Sequence, residues 1–305
     1  MTSPGLPKTH WCIVVADDHG PEWAPIMNAE ESPAPAQYSR LGGSSTLLQR
    51  ALSRASRIAP TPQVMVTALD EYRDQWESAL WCVRPQNRFV GDNRAASLLT
   101  GAAALLSITA ASPSSVVTIL PARCYVARED VLRLALEHVL AMLPRVSEGV
   151  ATLGMLDMNE GIDEDYLVCA RAGVGPGLVV DGFAHRPTAW IARRLKNQGA
   201  VVASGIMMGY AGAFAAHISK HWPGLTLKLT QLVATASAAG EECEVPMVLR
   251  AGVPKHVLRS LRWNPPSFAQ RAFCVRGCGW SSLRSAHAVQ RVSAWLSAPH
   301  VLDAV

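Results

Sequence analysis

Short apolar runs alternate with segments of helical periodicity along the first half of the chain. Nearly continuous apolar runs predict buried strands, and apolar residues three or four positions apart predict helices that pack by one face. The predicted strands are residues 12–16, 63–67, 79–83, 115–120 and 150–154. The predicted helices are residues 46–58, 70–77, 93–109 and 128–143.

This alternation predicts a doubly wound α/β fold, in which a mostly parallel, Rossmann-like sheet has helices on both faces. Ligands in such sheets bind at the carboxyl ends of the strands, so we expect the chemistry in the loops after residues 16, 83 and 120. The second half is more mixed, with predicted strands at 166–170, 178–183 and 201–208 and a helix at 188–197. We expect one α/β domain over residues 1–240, and a smaller mixed C-terminal continuation or subdomain, residues 241–305, packed on it.

Composition predicts a globular protein without a membrane segment. Of the 305 residues 49% are hydrophobic and 17% charged, which is enough for a large core. Residues 95–122 carry no charge, but Pro113 and the surrounding serines and threonines divide them into a buried helix and a buried strand. The odd number of cysteines, seven, and an N-terminus unlike a signal peptide favour a cytoplasmic location.

The net charge of +4 is unevenly distributed. No Asp or Glu occurs between Val245 and Leu302, although eight arginines and lysines do. They are spread out, which favours a basic surface over a nucleic-acid site, and nucleic acid is not an expected partner. His217 and His221 have helical i, i+4 spacing without an acidic residue between them, so we expect a surface pair and no metal site.

Several motifs resemble those of the sugar-1-phosphate nucleotidyltransferases, in particular the mannose-1-phosphate guanylyltransferase branch. VVADDHGPEWAPI (14–26), PAQ (35–37) and STLLQRALSRA (45–55) resemble that family's strand, AGGxGTRLxPL, PKQ and leucine-rich helix. Further matches follow in the family's order over most of the chain. They are RPQNR (84–88) with the nucleotide-base loop, LPARCYV (120–126) with LPADHxV, DGFAHRP (181–187) with FxEKP, GAVVASGIMMG (199–209) with GxxxNSGIF, and GCGWSSL (277–283) with DxGxW. The resemblance implies the nucleotide-diphospho-sugar transferase fold.

The family joins a nucleoside triphosphate to a sugar 1-phosphate with Mg²⁺ and releases pyrophosphate, and this chain lacks the residues the resemblance assigns to that chemistry. Asp17 and Asp18 replace the paired glycines, whose backbone lies against phosphate, and only Gly20 remains. Pro21 and Glu22 replace the Thr-Arg pair, so the catalytic cation becomes an anion.

Further departures occur at the lysine of PKQ, at the two metal positions and at the sugar-contacting stretch. Ala36 replaces the lysine of PKQ, Arg123 replaces the aspartate that binds Mg²⁺, and Gly277 aligns with the second metal aspartate. The sugar-contacting ETGYGYI reads GIDEDYL at 161–167. We therefore expect no catalytic residues, no metal site and no cofactor; Mg²⁺ is expected only if the chain is active. We also expect Glu22, Asp17 or Asp18 to pair with Arg123 and close the pocket; the alternative is unrelated surface charges on loops.

Some binding positions survive. On the nucleotide side they are Ala16, Gly20, Gln37, Gln86, Asn87 and Arg88, and on the sugar and phosphate side Arg186, Ser204 and Gly205. The favoured function is a nucleotidyltransferase-fold protein, inactive or strongly impaired, that acts by binding or regulation, with a protein partner or as a homo-oligomer, and with weakened binding of nucleotide or nucleotide-sugar. The alternative is a divergent active enzyme that makes GDP-mannose and pyrophosphate from GTP and mannose 1-phosphate. A third interpretation is an acidic-partner or nucleic-acid binder using the basic C-terminal third.

Overall fold

The computed structural model describes residues 9–17, 35–92, 97–147, 149–156, 164–170, 175–250 and 270–297. The strands are β1 His10–Val15, β2 Val64–Leu69, β3 Arg88–Gly91, β4 Val116–Pro121, β5 Tyr125–Val126, β6 Val150–Met155, β7 Tyr166–Ala170, β8 Leu178–Ala184, β9 Val201–Tyr210, β10 Cys243–Val245, β11 Arg271–Val275 and β12 Trp280–Ser281. The helices are α1 Leu47–Ser56, α2 Arg73–Trp76, α3 Ser97–Ala111, α4 Glu129–Met142, α5 Ala189–Asn197, α6 Ala211–His221, α7 Pro223–Ala239 and α8 Ala286–Ser297.

The main sheet has the order β10-β3-β2-β1-β4-β9-β6-β11-β8-β7, and its first five strands are parallel. Alternate residues of β1 enter two different cores. Cys12 and Val14 pack with α1 and α4 on one face, and Ile13 and Val15 pack with α3, α6 and α7 on the other. The doubly wound α/β architecture is therefore confirmed, because the sheet is covered on both faces.

Beyond β4 the sheet becomes mixed and closes on itself. β9 is antiparallel to β4 along its second half, whereas Val201 and Val202 at its start pair with Leu167 and Tyr166 of β7. Since β7 also pairs with β8, β8 with β11, β11 with β6 and β6 with β9, these five strands form a ring of pairings. A small separate core belongs to this part of the fold: Leu167, Val201, Ala203 and Ala272.

Most of the predicted elements are confirmed, including the buried helix and buried strand within residues 95–122, which are α3 and β4. The predicted strand at 79–83 is wrong. Its first residues end the 3-10 helix Glu77–Leu80, and Trp81 is 84% exposed, so the apolar run is a turn that buries only some of its side chains. The strand in this region is β3, which follows that turn.

The residues after 240 do not form a separate layer where the structure describes them. β10 adds a parallel strand beside β3 at one edge of the sheet, and β11 lies between β6 and β8. They thus contribute to both halves of the sheet, and the boundary at 240 stays a prediction. In the described part of the chain no helix is long and apolar enough to span a membrane.

Candidate functional site

The first loop begins at the carboxyl end of β1, where the PAQ segment packs. The carbonyl oxygen of Ala16 accepts hydrogen bonds from Gln37 Nε2 (2.7 Å) and from the Tyr38 hydroxyl (3.2 Å). Burial, with Asp17 nearby, raises the pKa of Tyr38, so its hydroxyl keeps its proton. Ala16 and Gln37 are therefore brought to the expected edge of the sheet, and the Gln37 amide serves the backbone there.

Asp17 replaces the first of the family's glycines and points into the protein. It is 1% exposed, and its carboxylate accepts a short hydrogen bond from the Thr100 hydroxyl of α3. This hydrogen bond connects the carboxyl end of β1 to α3 through a buried carboxyl group. This arrangement differs from the bare backbone that a triphosphate needs in order to approach.

Arg123 lies at the neighbouring strand end. Val15 of β1 and Pro121 of β4 are register partners, and the Ala122 amide donates to the Val15 carbonyl at 2.8 Å. Asp17 and Arg123 each come two residues after that pair. Arg123 is 3% exposed, so it is not a surface charge. Asp18, Gly20, Pro21 and Glu22 lie outside the described residues, and the proposed pairing of these carboxylates with Arg123 stays a hypothesis.

A partly buried ion pair supports the loop that carries Arg123. Arg54 of α1 is 4% exposed and donates to both carboxylate oxygens of Glu129, at 2.9 and 2.7 Å. Its other terminal nitrogen contacts the Cys124 sulfur at 3.5 Å, and burial raises the pKa of that thiol. This pair was not predicted from the sequence. The position of Arg54, three residues after Ala51 on the apolar face of α1, could have indicated a buried arginine that needs a partner.

Gln86, Asn87 and Arg88 are not brought to this site. They directly precede or begin β3, so they lie at the amino edge of the parallel strands, opposite the Asp17 loop. Asn87 donates to the carbonyl of Val64 at the start of β2 (3.1 Å), and Arg88 donates to the carbonyl of Val83 (2.9 Å). Both side chains hold neighbouring backbone, and their position does not support contact with a nucleotide base.

The sugar-side residues lie on β9 and on the turn before α5. The Ser204 hydroxyl donates to the Leu153 carbonyl at 2.7 Å, and Gly205, with φ of 77°, leaves room for Pro121, whose Cγ would lie 3.0 Å from a Cβ. The structure therefore places Ser204 and Gly205 beside the loop of Arg123. Arg186 is exposed and has a left-handed φ of 40°.

Two buried carboxyl groups directly before β7, Glu164 and Asp165, were not predicted as site residues from the sequence. Asp165 accepts hydrogen bonds from His185 Nδ1 (2.8 Å), from the Arg186 amide (3.1 Å) and from the Arg284 guanidinium. Glu164 accepts one from the Ser282 hydroxyl at 2.7 Å. Burial raises the pKa of Glu164. These contacts tie β7 to the turn before α5 and to the segment before α8. The sequence feature that could have indicated these carboxyl groups is GIDEDYL (161–167), in which adjacent acidic residues directly precede a strand.

The remaining family positions carry no group that fits a divalent cation. Ala36 is buried, and Gly277 is an exposed turn glycine with φ of 75°. Across the described ranges no three His, Cys, Asp or Glu side chains are grouped so that they could hold a metal ion. With a buried cation at Arg123 and no side chain at Gly277, the described residues do not fit Mg²⁺.

The fold and these loops define a protein with the nucleotide-diphospho-sugar transferase fold. A mannose-1-phosphate geranyltransferase from Thermus thermophilus superposes with a TM-score of 0.69 at 20% identity, over 93% of this chain and 79% of that one. A mannose-6-phosphate isomerase from Helicobacter pylori gives 0.56 at 13% identity, over 90% and 99% of the two chains.

A CMP:2-keto-3-deoxy-manno-octonic acid synthetase complexed with CTP gives a TM-score of 0.52 at 13% identity, over 95% and 98% of the chains. No family model and no curated protein matches the sequence. At these identities the similarity shows the fold, and the function has to be argued from the residues of this chain.

Proposed function

We propose that this nucleotidyltransferase-fold protein does not carry out Mg²⁺-dependent nucleotidyl transfer and acts by binding. The observation that supports this most is the buried Arg123, which stands where the resemblance places a metal-binding aspartate. A guanidinium stays charged at any physiological pH, so a divalent cation at this position would meet a like charge in a poorly solvated place.

The phosphate side of the site supports the same conclusion. Asp17 places a buried carboxylate where the family presents glycine backbone, and the Thr100 hydroxyl fixes it there. A negative charge at that point opposes the approach of a triphosphate, and the loss of one stabilising group in an active site costs about 3–4 kcal/mol of transition-state stabilisation. Several such losses together leave no efficient route for the reaction.

Binding is the function that the remaining residues permit. Among the surviving positions Arg186 is an exposed cation, whereas Arg123 is buried and the Gln37 amide is already bound to backbone. Nucleotide or nucleotide-sugar binding is therefore weak, and we propose a role as a regulator or partner of another protein, or of further copies of this chain. All seven cysteines are free thiols, which supports a cytoplasmic location.

Calorimetry with GTP, with and without Mg²⁺, tests the proposal, together with a pyrophosphate-release assay on GTP and mannose 1-phosphate. We expect no heat that depends on magnesium and no turnover above background. Any metal-free binding of GTP should weaken in Arg186→Gln, because Arg186 is the exposed cation among the surviving positions. The matched variant Arg133→Gln, an exposed arginine of α4, should leave it unchanged. Magnesium-dependent heat, or turnover at an ordinary enzymatic rate, overturns the proposal and supports the active GDP-mannose-forming alternative.

A further inference from the structure

A groove with an acidic rim lies at the carboxyl ends of β2, β3 and β10, against the last turns of α7. Its volume is about 970 Å³, and its apolar walls include Val90, Leu232, Ala236 and Val245. We call it the acidic groove. Among the residues that the structure describes, six carboxylates and one guanidinium also line it: Asp70, Glu77, Asp92, Glu241, Glu242, Glu244 and Arg73.

The single arginine does not balance these charges. Arg73 donates to Asp70 at 2.7 Å and to Glu242 at 2.5 Å, and it stacks on the Trp76 ring at 4.8 Å. It therefore pairs with two of the six carboxylates, and Glu241 and Glu244 are exposed. The described lining of the groove thus carries more negative than positive charge, on a chain whose net charge is +4.

Helix α5 presents the complementary chemistry. Trp190 is 69% exposed and Ile191 41% exposed, and the Arg194 guanidinium lies 5.8 Å from the Trp190 ring. Arg193 and Lys196 belong to the same helix, whose residues include no acid. We call this surface the α5 face. A large aromatic side chain beside several cations suits an apolar groove with an acidic rim, because Trp and Arg together dominate many protein interfaces.

These two surfaces cannot meet within one copy. The acidic groove adjoins β10, at the edge of the sheet, whereas α5 directly precedes β9. Five strand-to-strand steps separate β10 from β9, which at about 4.8 Å a step is about 24 Å. This is more than side chains can bridge, so neither surface covers the other within one copy.

We infer that the acidic groove of one copy receives the α5 face of a second copy. Because the two surfaces are different, one junction leaves free the α5 face of the copy whose groove is filled and the acidic groove of the other copy. Such an interface produces a closed ring or a growing chain, depending on the rotation between copies. This inference deepens the part of the proposed function that concerns further copies of this chain, and because it uses neither Asp17 nor Arg123 it does not depend on whether the chain transfers nucleotidyl groups.

The test measures molar mass by light scattering and sedimentation on the full chain, from about 1 to 100 μM, a range suited to an interface of modest affinity. The wild type should rise above 32.7 kDa with concentration, and salt should reduce this association. A groove variant, Glu241→Lys with Glu244→Lys, should weaken association at least about tenfold. An α5 variant, Trp190→Ala with Arg194→Glu, should do the same.

Mixing the two variants distinguishes this interface from others. The groove variant keeps its α5 face and the α5 variant keeps its groove, so one junction forms and both outer ends are blocked. The mixture should give a 1:1 dimer of about 65 kDa, twice the 32.7 kDa chain mass. A matched control, Leu134→Ala with Glu137→Lys on exposed positions of α4, should assemble like the wild type.

Three results would overturn the inference. The wild type stays at 32.7 kDa throughout the range, or it assembles but neither variant weakens the assembly, or the mixed variants remain apart. Circular dichroism of each variant shows that loss of assembly is not loss of folding.

Discussion

Arg54 offers a direct test of how the loop of Arg123 is supported, through the variant Arg54→Met. Methionine keeps most of the buried stem and removes the two hydrogen bonds to Glu129, at 2.9 and 2.7 Å. A hydrogen bond to a charged group contributes about 1.5–3 kcal/mol. Glu129 is 30% exposed and regains water when its partner is lost, which reduces the penalty for the unpaired carboxylate. We therefore expect a loss of about 2 kcal/mol of unfolding free energy, below the range of about 3–5 kcal/mol for fully buried pairs.

Urea denaturation of the full chain measures this loss, and a double-mutant cycle with Glu129→Gln isolates the pair. The coupling energy should be about 1–2 kcal/mol. The matched surface pair Arg133–Glu137, with side chains 39% and 49% exposed, provides the control, and Arg133→Met should change stability by less than about 0.5 kcal/mol. If Arg54→Met lowers the unfolding free energy no more than the control does, or if the coupling energy is zero, the Arg54–Glu129 pair does not stabilise the fold.

Two further predictions concern pH. Burial lowers the pKa of His10 from 6.5 to about 4 and favours its neutral form, whose ring nitrogen lies 2.8 Å from the Thr118 hydroxyl oxygen. This stabilisation is complete above pH 6.5 and is lost as the pH falls toward 4, so His10→Gln should make the decline of unfolding free energy in that window shallower. Burial raises the pKa of Glu164, so its protonated form stabilises the fold below the ordinary value of 4.5, and that contribution is lost as the pH rises through the folded pKa. Glu164→Gln keeps an acceptor for Ser282 and should gain stability relative to the wild type as the pH rises above 4.5. A stability difference between the two proteins that is constant with pH, in denaturant titrations, contradicts this.

The sequence was sufficient for most of the doubly wound half, because burial on both faces leaves continuous apolar strands between periodic helices. It failed at 79–83, since a turn that buries Leu80 and Val83 has the same composition as a short strand. The ring of strand pairings was also beyond prediction. It depends on two residues of β7 that pair with the start of β9, and no local pattern encodes such a distant contact.

A motif match constrains the site less than the apolar pattern constrains the fold. A motif match assigns single residues and says nothing about which edge of the sheet they occupy, so RPQNR was matched to a base loop although it precedes β3. The partners of buried charges are likewise distant in sequence. Arg54 and Glu129 lie 75 positions apart, and Asp165 and Arg284 lie 119 apart.

The neighbouring positions of Asp17 and Arg123 explain why the altered charges are best understood together. Both follow the register pair Val15–Pro121 by two residues, at adjacent strand ends, and both are buried. Restoring an aspartate at position 123 alone would put two carboxylates side by side in a poorly solvated edge, where like charges repel strongly. If Asp17 pairs with Arg123, a glycine at position 17 alone would remove the negative partner of a buried guanidinium. The hypothesis of that pairing therefore predicts that a metal site at this edge needs both changes at once.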